Sequence, residues 1–192
     1  MIAILKYNAG NTQSVENAIR RLGYDCVVTD DVQLLQSADK VIFPGVGEAA
    51  SAMAYLRAKG LDKVIRELTQ PVLGICLGLQ LMCRYSEEGA TTGLGIFDVD
   101  VKKFPPKDKV PHMGWNTISE SESEILSTIL PDDDVYFVHS YYAELSQYTI
   151  AQCDYILPFS AALQKDNFYA VQFHTEKSGT VGEQILTNFL KL

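Results

Sequence analysis

The amino-acid sequence predicts an α/β fold in which a mostly parallel central sheet has flanking helices and a smaller antiparallel excursion. In the first half of the chain, short β-rich runs alternate with helical stretches, as in parallel sheets whose strands are joined by crossover helices. In the second half, β-like segments follow one another with no helical stretch between them. The alternation is typical of flavodoxin-like sheets, and 192 residues fit one compact domain, so residues 1–192 are expected to form a single domain.

The first half is predicted to contain four strands and two helices. The strands are expected at residues 2–6, 26–29, 41–43 and 72–75, and the helices at residues 14–22 and 49–68. The carboxyl ends of parallel strands meet at one edge of a sheet, where ligands usually bind. The loops that follow Lys6, Phe43 and Ile75 should therefore lie close together.

The second half is predicted to contain β-structure and one closing helix. Residues 96–104 and 113–118 form the expected antiparallel excursion, because a loop rich in proline and lysine, and no helix, separates them. Further strands are expected at residues 135–138, 149–156, 160–164 and 169–173, followed by an amphipathic helix at residues 181–190. No internal repeat or glycine/serine linker marks a second domain.

The composition argues against several classes of function. A net charge of −8 would repel nucleic-acid backbones and anionic lipid, so neither nucleic acid nor membrane is expected as a partner. No apolar run approaches the roughly 20 residues that cross a bilayer, and no signal peptide is recognised. Four cysteines without a CxxC pair and three histidines without zinc-type spacing predict reduced thiols, a cytoplasmic location and no metal site.

Residues 72–80, with the sequence VLGICLGLQ, predict a buried strand, a sharp turn and a helix with Cys76 at the corner. Glycines lie two residues either side of Cys76, as a nucleophile elbow requires, because neighbouring backbone passes too close for a Cβ. The helix start would favour a thiolate, although a second cation is needed to ionise it fully at neutral pH. The alternative is a buried core cysteine, the role expected for Cys26, Cys83 and Cys153, with Cys83 two turns further along the same helix.

A candidate base follows the predicted strand at residues 169–173. His174 and Glu176 are two residues apart in QFHTEKS, and in extended chain such residues point to the same side. The carboxylate could then bind one imidazole nitrogen and leave the other free for a nucleophile. The alternative is a structural histidine beside a solvated glutamate. His112 and His139 are weaker base candidates because neither has a carboxylate at a comparable spacing.

Taken together, GICLGLQ and QFHTEKS resemble the class I glutamine amidotransferases, whose catalytic triad is Cys, His and Glu. Further motifs resemble the glutaminase subunits of imidazole glycerol phosphate synthases, a branch of that family: YNAGNTQSV, FPGVGEAASAM, YSEEG, GLGIF, PHMGWN and HSYY. The resemblance runs essentially end to end. The alternatives are a glutaminase for an anthranilate, aminodeoxychorismate or pyridoxal phosphate synthase, a hydrolase or stress protein with a cysteine elbow, and a catalytically idle scaffold.

The resemblance implies that Cys76 attacks the side-chain amide of glutamine and forms a thioester through a tetrahedral oxyanion. His174 would protonate the departing ammonia and later activate water, while Glu176 orients the imidazole. The backbone N–H groups of Leu77 and of the loop at Val46 and Gly47 would bind the oxyanion.

The resemblance also implies contacts for the rest of the substrate. Gln80, one helical turn beyond the cysteine, and the pair Ser140 and Tyr141 would bind the α-amino and carboxylate end of glutamine. No metal or organic cofactor is implied. The motif PHMGWN, which contains the only tryptophan, would face a (β/α)8 cyclase subunit that uses the ammonia to form imidazole glycerol phosphate in histidine biosynthesis.

Two positions depart from the family pattern. Thr175 stands where the family usually has proline, which removes a fixed φ between the histidine and the glutamate of the triad. Phe97 and Asp98 replace a usual Pro-Gly turn and are expected to change only a surface hairpin. Neither departure removes a reacting atom.

Overall fold

In the computed structural model, which describes residues 1–120 and 123–192, one large sheet is accompanied by a separate two-stranded sheet. The strands are β1 Ile2–Leu5, β2 Cys26–Thr29, β3 Lys40–Gly45, β4 Val72–Cys76, β5 Cys83–Ser86, β6 Thr91–Thr92, β7 Phe97–Lys103, β8 His112–Thr117, β9 Ser119–Glu120, β10 Asp134–His139, β11 Tyr141–Ala143, β12 Thr149–Asp154, β13 Pro158–Lys165 and β14 Phe168–Val171. The helices are α1 Thr12–Arg21, α2 Val32–Ser37, α3 Ala49–Ala58, α4 Leu61–Glu67, α5 Leu77–Met82 and α6 Gly179–Lys191.

The parallel part of the large sheet has the strand order β2-β1-β3-β4-β14. Successive residues of β1 belong to two different hydrophobic clusters: Ile4 packs with residues of α1 and α6, and Leu5 packs with residues of α2 to α5. Apolar side chains therefore cover both faces of these strands, as parallel strands between two helical layers require. The predicted α/β fold with a parallel central sheet and flanking helices is confirmed.

The antiparallel strands extend this sheet beyond β14, in the order β13-β11-β7. The two segments of the predicted excursion do not pair with each other. Residues 97–103 lie in the large sheet against β11 and β5, whereas β8 pairs with β10 in the two-stranded sheet. A sequence pattern identifies a strand but not its partner, because the pairing depends on residues far along the chain.

Two helical predictions differ from the structure. Helix α2 was not predicted, since six residues are too few to show a helical period; Asp31 caps it by accepting a hydrogen bond from the backbone N–H of Leu34 at 3.0 Å. The predicted helix at residues 49–68 is two helices, because Gly60 adopts a left-handed conformation with φ of 69°. Within the described residues, no helix is both long and apolar enough to cross a lipid bilayer.

The prediction that Cys83 lies on the helix after Cys76 is wrong. Helix α5 ends at Met82, and Cys83 begins β5. The carbonyls of the last helical turn accept hydrogen bonds from residues 94 and 96, so the backbone there pairs with another segment and the helix stops. The expectation of a surface hairpin at Phe97 is also wrong, because Phe97 is fully buried at the start of β7.

Candidate active site

The turn between β4 and α5 has the predicted elbow shape. Cys76 has φ of 53° and ψ of −106°, an unfavourable conformation for a residue with a side chain. A Cβ added at Gly74 would lie 2.9 Å from the Met82 sulfur, and one added at Gly78 would collide with the carbonyl oxygen of Phe43. A side chain is excluded at Gly78 by fixed backbone and would be crowded at Gly74, and the tight turn presents the Cys76 sulfur at the carboxyl edge of the parallel strands.

His174 and Glu176 are in contact, although the chain between them is not extended. Residues Thr175–Lys177 form a single 3₁₀ turn, which brings Nδ1 of His174 within 2.8 Å of Oε1 of Glu176. Both side chains are only 2% exposed. The predicted pair is therefore present, but a turn and not a strand produces it. Thr175 occupies this turn without preventing the contact.

The backbone of His174 is held by the two-stranded sheet and by the start of α6. Its N–H donates to the carbonyl oxygen of Tyr136 at 2.9 Å, and its own carbonyl accepts from the Ser178 hydroxyl at 2.6 Å. The Ser178 oxygen in turn accepts from the N–H of Tyr136 at 2.9 Å. These three bonds restrict the position from which the imidazole projects.

Charges on both sides of His174 control its protonation. Burial lowers its pKa, but the Cys76 sulfur and the Glu176 carboxylate outweigh that effect and raise the pKa to about 10. Nε2 is buried without a well-formed hydrogen bond among the described residues, yet it lies near enough to the sulfur for that charge to act. A raised pKa favours the imidazolium form of His174, which is the cation that a thiolate at Cys76 would require.

A cavity of about 430 Å³ opens beside Cys76 and His174. Its lining includes every predicted site residue except Glu176, which lies behind the imidazole: Val46, Gly47, Cys76, Leu77, Gln80, Glu88, Pro111, Val138, His139, Ser140, Tyr141 and His174. The structure therefore brings together residues from loops after β3, β4, β10 and β14 at one edge of the sheet. Of the described residues, no group of three or more His, Cys, Asp or Glu side chains could hold a metal ion.

The loop that follows β3 lies next to the elbow, because Gly45 and Cys76 are paired in neighbouring strands. The Tyr7 hydroxyl, which is buried below the loop, donates to the carbonyl oxygen of Pro44 at 2.8 Å and holds the start of the loop. Gly47 has φ of 120°, a conformation that residues with side chains rarely adopt. The backbone of Val46 and Gly47 can therefore approach the space in front of the sulfur.

The orientation of the Gln80 amide is fixed by two acceptors. Its nitrogen donates to the carbonyl oxygen of Tyr141 at 3.0 Å and to Oε1 of Gln172 at 3.1 Å. A backbone carbonyl can only accept, so the nitrogen must face Tyr141. Both amide hydrogens are used within the protein, and the oxygen is the group that Gln80 can offer to the cavity.

Two residues of the site were missed in the sequence. Gln172 is fully buried, and its nitrogen lies 3.7 Å from the Cys76 sulfur; the clue was its position two residues before His174 in QFHTEKS. Glu88 is the one carboxylate among the described residues that line the cavity, and burial raises its pKa although the Ala49 N–H donates to it at 2.8 Å. Glu88 lies in the motif YSEEG, which was the available signal for this residue in the sequence.

The other two histidines are neutral. Burial lowers the pKa of His112 to about 4 and that of His139 to about 3. Their rings are hydrogen-bonded to each other, and the distance from Nδ1 of His112 to Nε2 of His139 is 3.0 Å. His139 lines the cavity, but its ring nitrogens are occupied by His112 and by the carbonyl of Tyr141. Neither is placed as a base for Cys76.

Comparisons with known proteins agree with this geometry. A family model described as "Glutamine amidotransferase class-I" matches residues 3–192. A protein named imidazole glycerol phosphate synthase subunit HisH from Bacteroides fragilis (strain YCH46) is 60% identical over 100% of this chain and 99% of its own length. The protein of the same name from Pasteurella multocida is 46% identical over 99% of this chain and 97% of its own length.

The fold is also similar to a solved structure titled as a glutamine amidotransferase. The TM-score is 0.77 at 18% identity, and the match covers 99% of this chain and 97% of that one. At this level of identity the likeness supports the fold alone. The family match along nearly the whole sequence, together with the relatives, shows that this chain belongs to the class I glutamine amidotransferase family.

Proposed function

We propose that this chain is the glutaminase subunit of an imidazole glycerol phosphate synthase and that Cys76, His174 and Glu176 hydrolyse glutamine. The observation that carries the proposal is the elbow cysteine at a cavity shared with an imidazole whose far nitrogen is held by a buried carboxylate. This arrangement supplies a nucleophile, an acid and base, and a group that orients the base. The relatives of the same length support the assignment to this synthase.

In the proposed reaction, the Cys76 thiolate attacks the amide carbon of glutamine, and a C–S bond forms. The tetrahedral intermediate collapses when the C–N bond breaks and the imidazolium of His174 gives its proton to the leaving nitrogen, which departs as ammonia. The neutral imidazole then takes a proton from water. The resulting hydroxide cleaves the thioester, releases glutamate and restores the thiolate and imidazolium pair.

The negative oxygen of the tetrahedral intermediates needs hydrogen-bond donors. We propose the N–H of Leu77, which begins α5 directly after the nucleophile, and the N–H groups of Val46 and Gly47 from the loop beside it. Backbone donors suit this purpose because a donor that the fold holds in position can stabilise the developing charge directly.

The polar lining of the cavity supports one orientation of glutamine. The oxygen of Gln80 and the carboxylate of Glu88 are acceptors and would bind the α-ammonium group. Ser140 and Tyr141 lie in the same lining and would contact the α-carboxylate end, with the Ser140 hydroxyl as a donor. The side-chain amide then points to Cys76.

The Glu88→Gln substitution tests this orientation. The variant keeps the size of the side chain but loses the charge that would pair with the ammonium, so we expect KM for glutamine to rise about 10- to 100-fold. The value of kcat should change much less, because the charge is not at the reacting carbon. Steady-state glutamate release measures both constants.

Glu87→Gln is the matched control. Glu87 is the preceding residue, pairs with Lys102 and is not part of the cavity lining, so its KM should stay at the wild-type value. Equal KM values for Glu88→Gln and the wild type would refute the assigned orientation.

We propose that the partner is a (β/α)8 cyclase subunit and that it covers the outer face of β8. Met113 and Trp115 on this strand are 57% and 56% exposed, an unusual exposure for large apolar side chains. Pro111, just before β8, lines the cavity, so a partner on this face would cover its mouth. Ammonia that stays inside the complex avoids protonation in bulk water and remains a nucleophile.

The test is glutamate release by the purified chain with and without the cyclase subunit and the ligand of that subunit. We expect weak release alone, strong release with both additions, and imidazole glycerol phosphate as the product of the complex. If an anthranilate, aminodeoxychorismate or pyridoxal phosphate synthase subunit produced the stimulation and the cyclase did not, the assigned synthase would be wrong.

We further propose that residues 1–192 act as one domain in the cytoplasm. One hydrophobic cluster contains residues from both ends of the chain, from Ile2 to Leu190, which supports a single unit. The four cysteines are all free and buried, which suits a reducing compartment.

A further inference from the structure

Two histidines without a role in the reaction face each other between β8 and β10. His112 and His139 are directly paired in the register of the two strands, and both are buried. Four groups form a continuous row of hydrogen bonds. The distances are 3.4 Å from the Asn116 amide nitrogen to Nε2 of His112, 3.0 Å between the histidines, and 2.8 Å from Nδ1 of His139 to the Tyr141 carbonyl oxygen.

The chemistry of the last acceptor sets the direction of the whole row. The Tyr141 carbonyl can only accept, so Nδ1 of His139 carries a hydrogen. Nε2 of the neutral ring is then an acceptor, and His112 must donate to it from its own Nδ1. Nε2 of His112 remains as the acceptor for the Asn116 amide. Burial lowers the pKa of both rings, which keeps them neutral as this row requires.

The two ends of the row lie in functionally different places. At one end, the Tyr141 carbonyl oxygen also accepts a hydrogen bond from Gln80. A change in the position of this carbonyl would therefore affect both Gln80 and Tyr141, which line the cavity. At the other end, Asn116 lies on β8, the strand whose outer face exposes Met113 and Trp115. The row therefore connects β8, the strand that carries the proposed partner face on its other side, with the proposed glutamine contacts.

The His112 ring projects from β8 and is packed between two aromatic rings from other segments. It is stacked between Phe137 and Tyr155, with ring centroids 4.7 and 4.1 Å away. A shift of β8 would carry the ring with it and would change its hydrogen bond to His139. Because His139 precedes Ser140 and Tyr141 in the chain, the change would reach the segment proposed to bind the substrate carboxylate.

We propose that His112 and His139 are positioning residues that form a relay with fixed tautomers, through which contacts on β8 adjust the Ser140 and Tyr141 segment for glutamine binding. This inference rests on the proposed function, since it assigns a means of regulation to the same cavity. The relay acts through hydrogen-bond geometry and does not require either ring to gain or lose a proton.

The first test observes the protonation of the histidine rings directly and does not require enzymatic activity. The chain has three histidines, at positions 112, 139 and 174, so side-chain ¹⁵N NMR of the free protein gives a small set of signals. We expect His112 and His139 to be neutral at pH 7 and protonated at Nδ1, which is the less common tautomer in water. A doubly protonated ring, or protonation at Nε2 in either residue, would overturn the proposal.

The second test is the His112→Phe substitution, measured in the complex with the cyclase. Phenylalanine keeps the aromatic stack but cannot donate to His139, whose acceptor nitrogen is then buried without a partner. We expect KM for glutamine to rise about tenfold and the stimulation by the cyclase to fall about tenfold. A merely structural role would reduce the fraction of active protein and therefore kcat, at unchanged KM.

Tyr155→Phe is the matched control, because it keeps the ring that stacks on His112 and loses only a hydroxyl that donates to the backbone carbonyl oxygen of Lys109. Its KM and its stimulation should equal the wild-type values. A wild-type KM and stimulation in His112→Phe would overturn the relay. Absence of any stimulation in the wild type would instead reject the proposed partner, while the NMR result would still decide the tautomers.

Discussion

Replacement of Cys76 by alanine is expected to lower glutamine hydrolysis by about 10⁴-fold or more, because no other group can form the thioester. The same variant should keep the ammonia-dependent reaction of the cyclase at the wild-type rate, since the partner face on β8 is untouched. Glutamate release and product formation with added ammonium salt, measured on the same complex, separate the two activities.

Cys153→Ala is the control for this substitution. Cys153 is 1% exposed, and burial raises its pKa to about 12, so it stays a thiol and should not react. Iodoacetamide should accordingly modify Cys76 well before Cys153, as peptide mass spectrometry can detect. Glutamine-dependent synthesis at the normal rate by Cys76→Ala would show that the nucleophile has been assigned wrongly.

The Glu176→Gln substitution is expected to lower kcat/KM for glutamine by about 10²- to 10⁴-fold. Burial lowers the pKa of His174, and Cys76 together with Glu176 raises it to about 10. A raised pKa means that the imidazolium, which must protonate the leaving ammonia, persists as pH rises and is lost only near that value. Without the carboxylate the pKa falls, so the alkaline limb of kcat/KM should move to lower pH by about one to three units.

The pH profile of kcat/KM in the two proteins checks this prediction. Glu183→Gln is a suitable control, because Glu183 is partly exposed on α6 beside Arg21 and does not contact His174. Its profile should match that of the wild type. An unchanged alkaline limb in Glu176→Gln would show that the carboxylate does not control the protonation of His174.

Local sequence patterns were sufficient for the parallel strands and for the elbow. The order of β-rich and helical runs predicted β1 to β4, α1 and the helical region that holds α3 and α4, because hydrophobic periodicity depends on neighbours along the chain. Glycines either side of Cys76 predicted a turn that only residues without a Cβ can form. The spacing of His174 and Glu176 predicted their contact, although a 3₁₀ turn and not a strand makes it.

Residues whose place depends on distant partners were harder to predict. Gln172 reaches the Cys76 sulfur only because β14 lies beside β4, and Glu88 reaches the cavity only because its segment packs against the start of α3. No local period marks either position.

The sequence by itself determined the α/β class, the family, the elbow at Cys76 and the closeness of His174 to Glu176, because these depend on short-range backbone sterics and motif spacing. Only the tertiary structure decided that the His174 pKa is raised and that β8 pairs with β10. The tertiary structure also places His112 and His139 in one row of hydrogen bonds, which no sequence pattern indicated. Burial, charge proximity and strand pairing arise between segments far apart in the chain, so they exist only once the chain has folded.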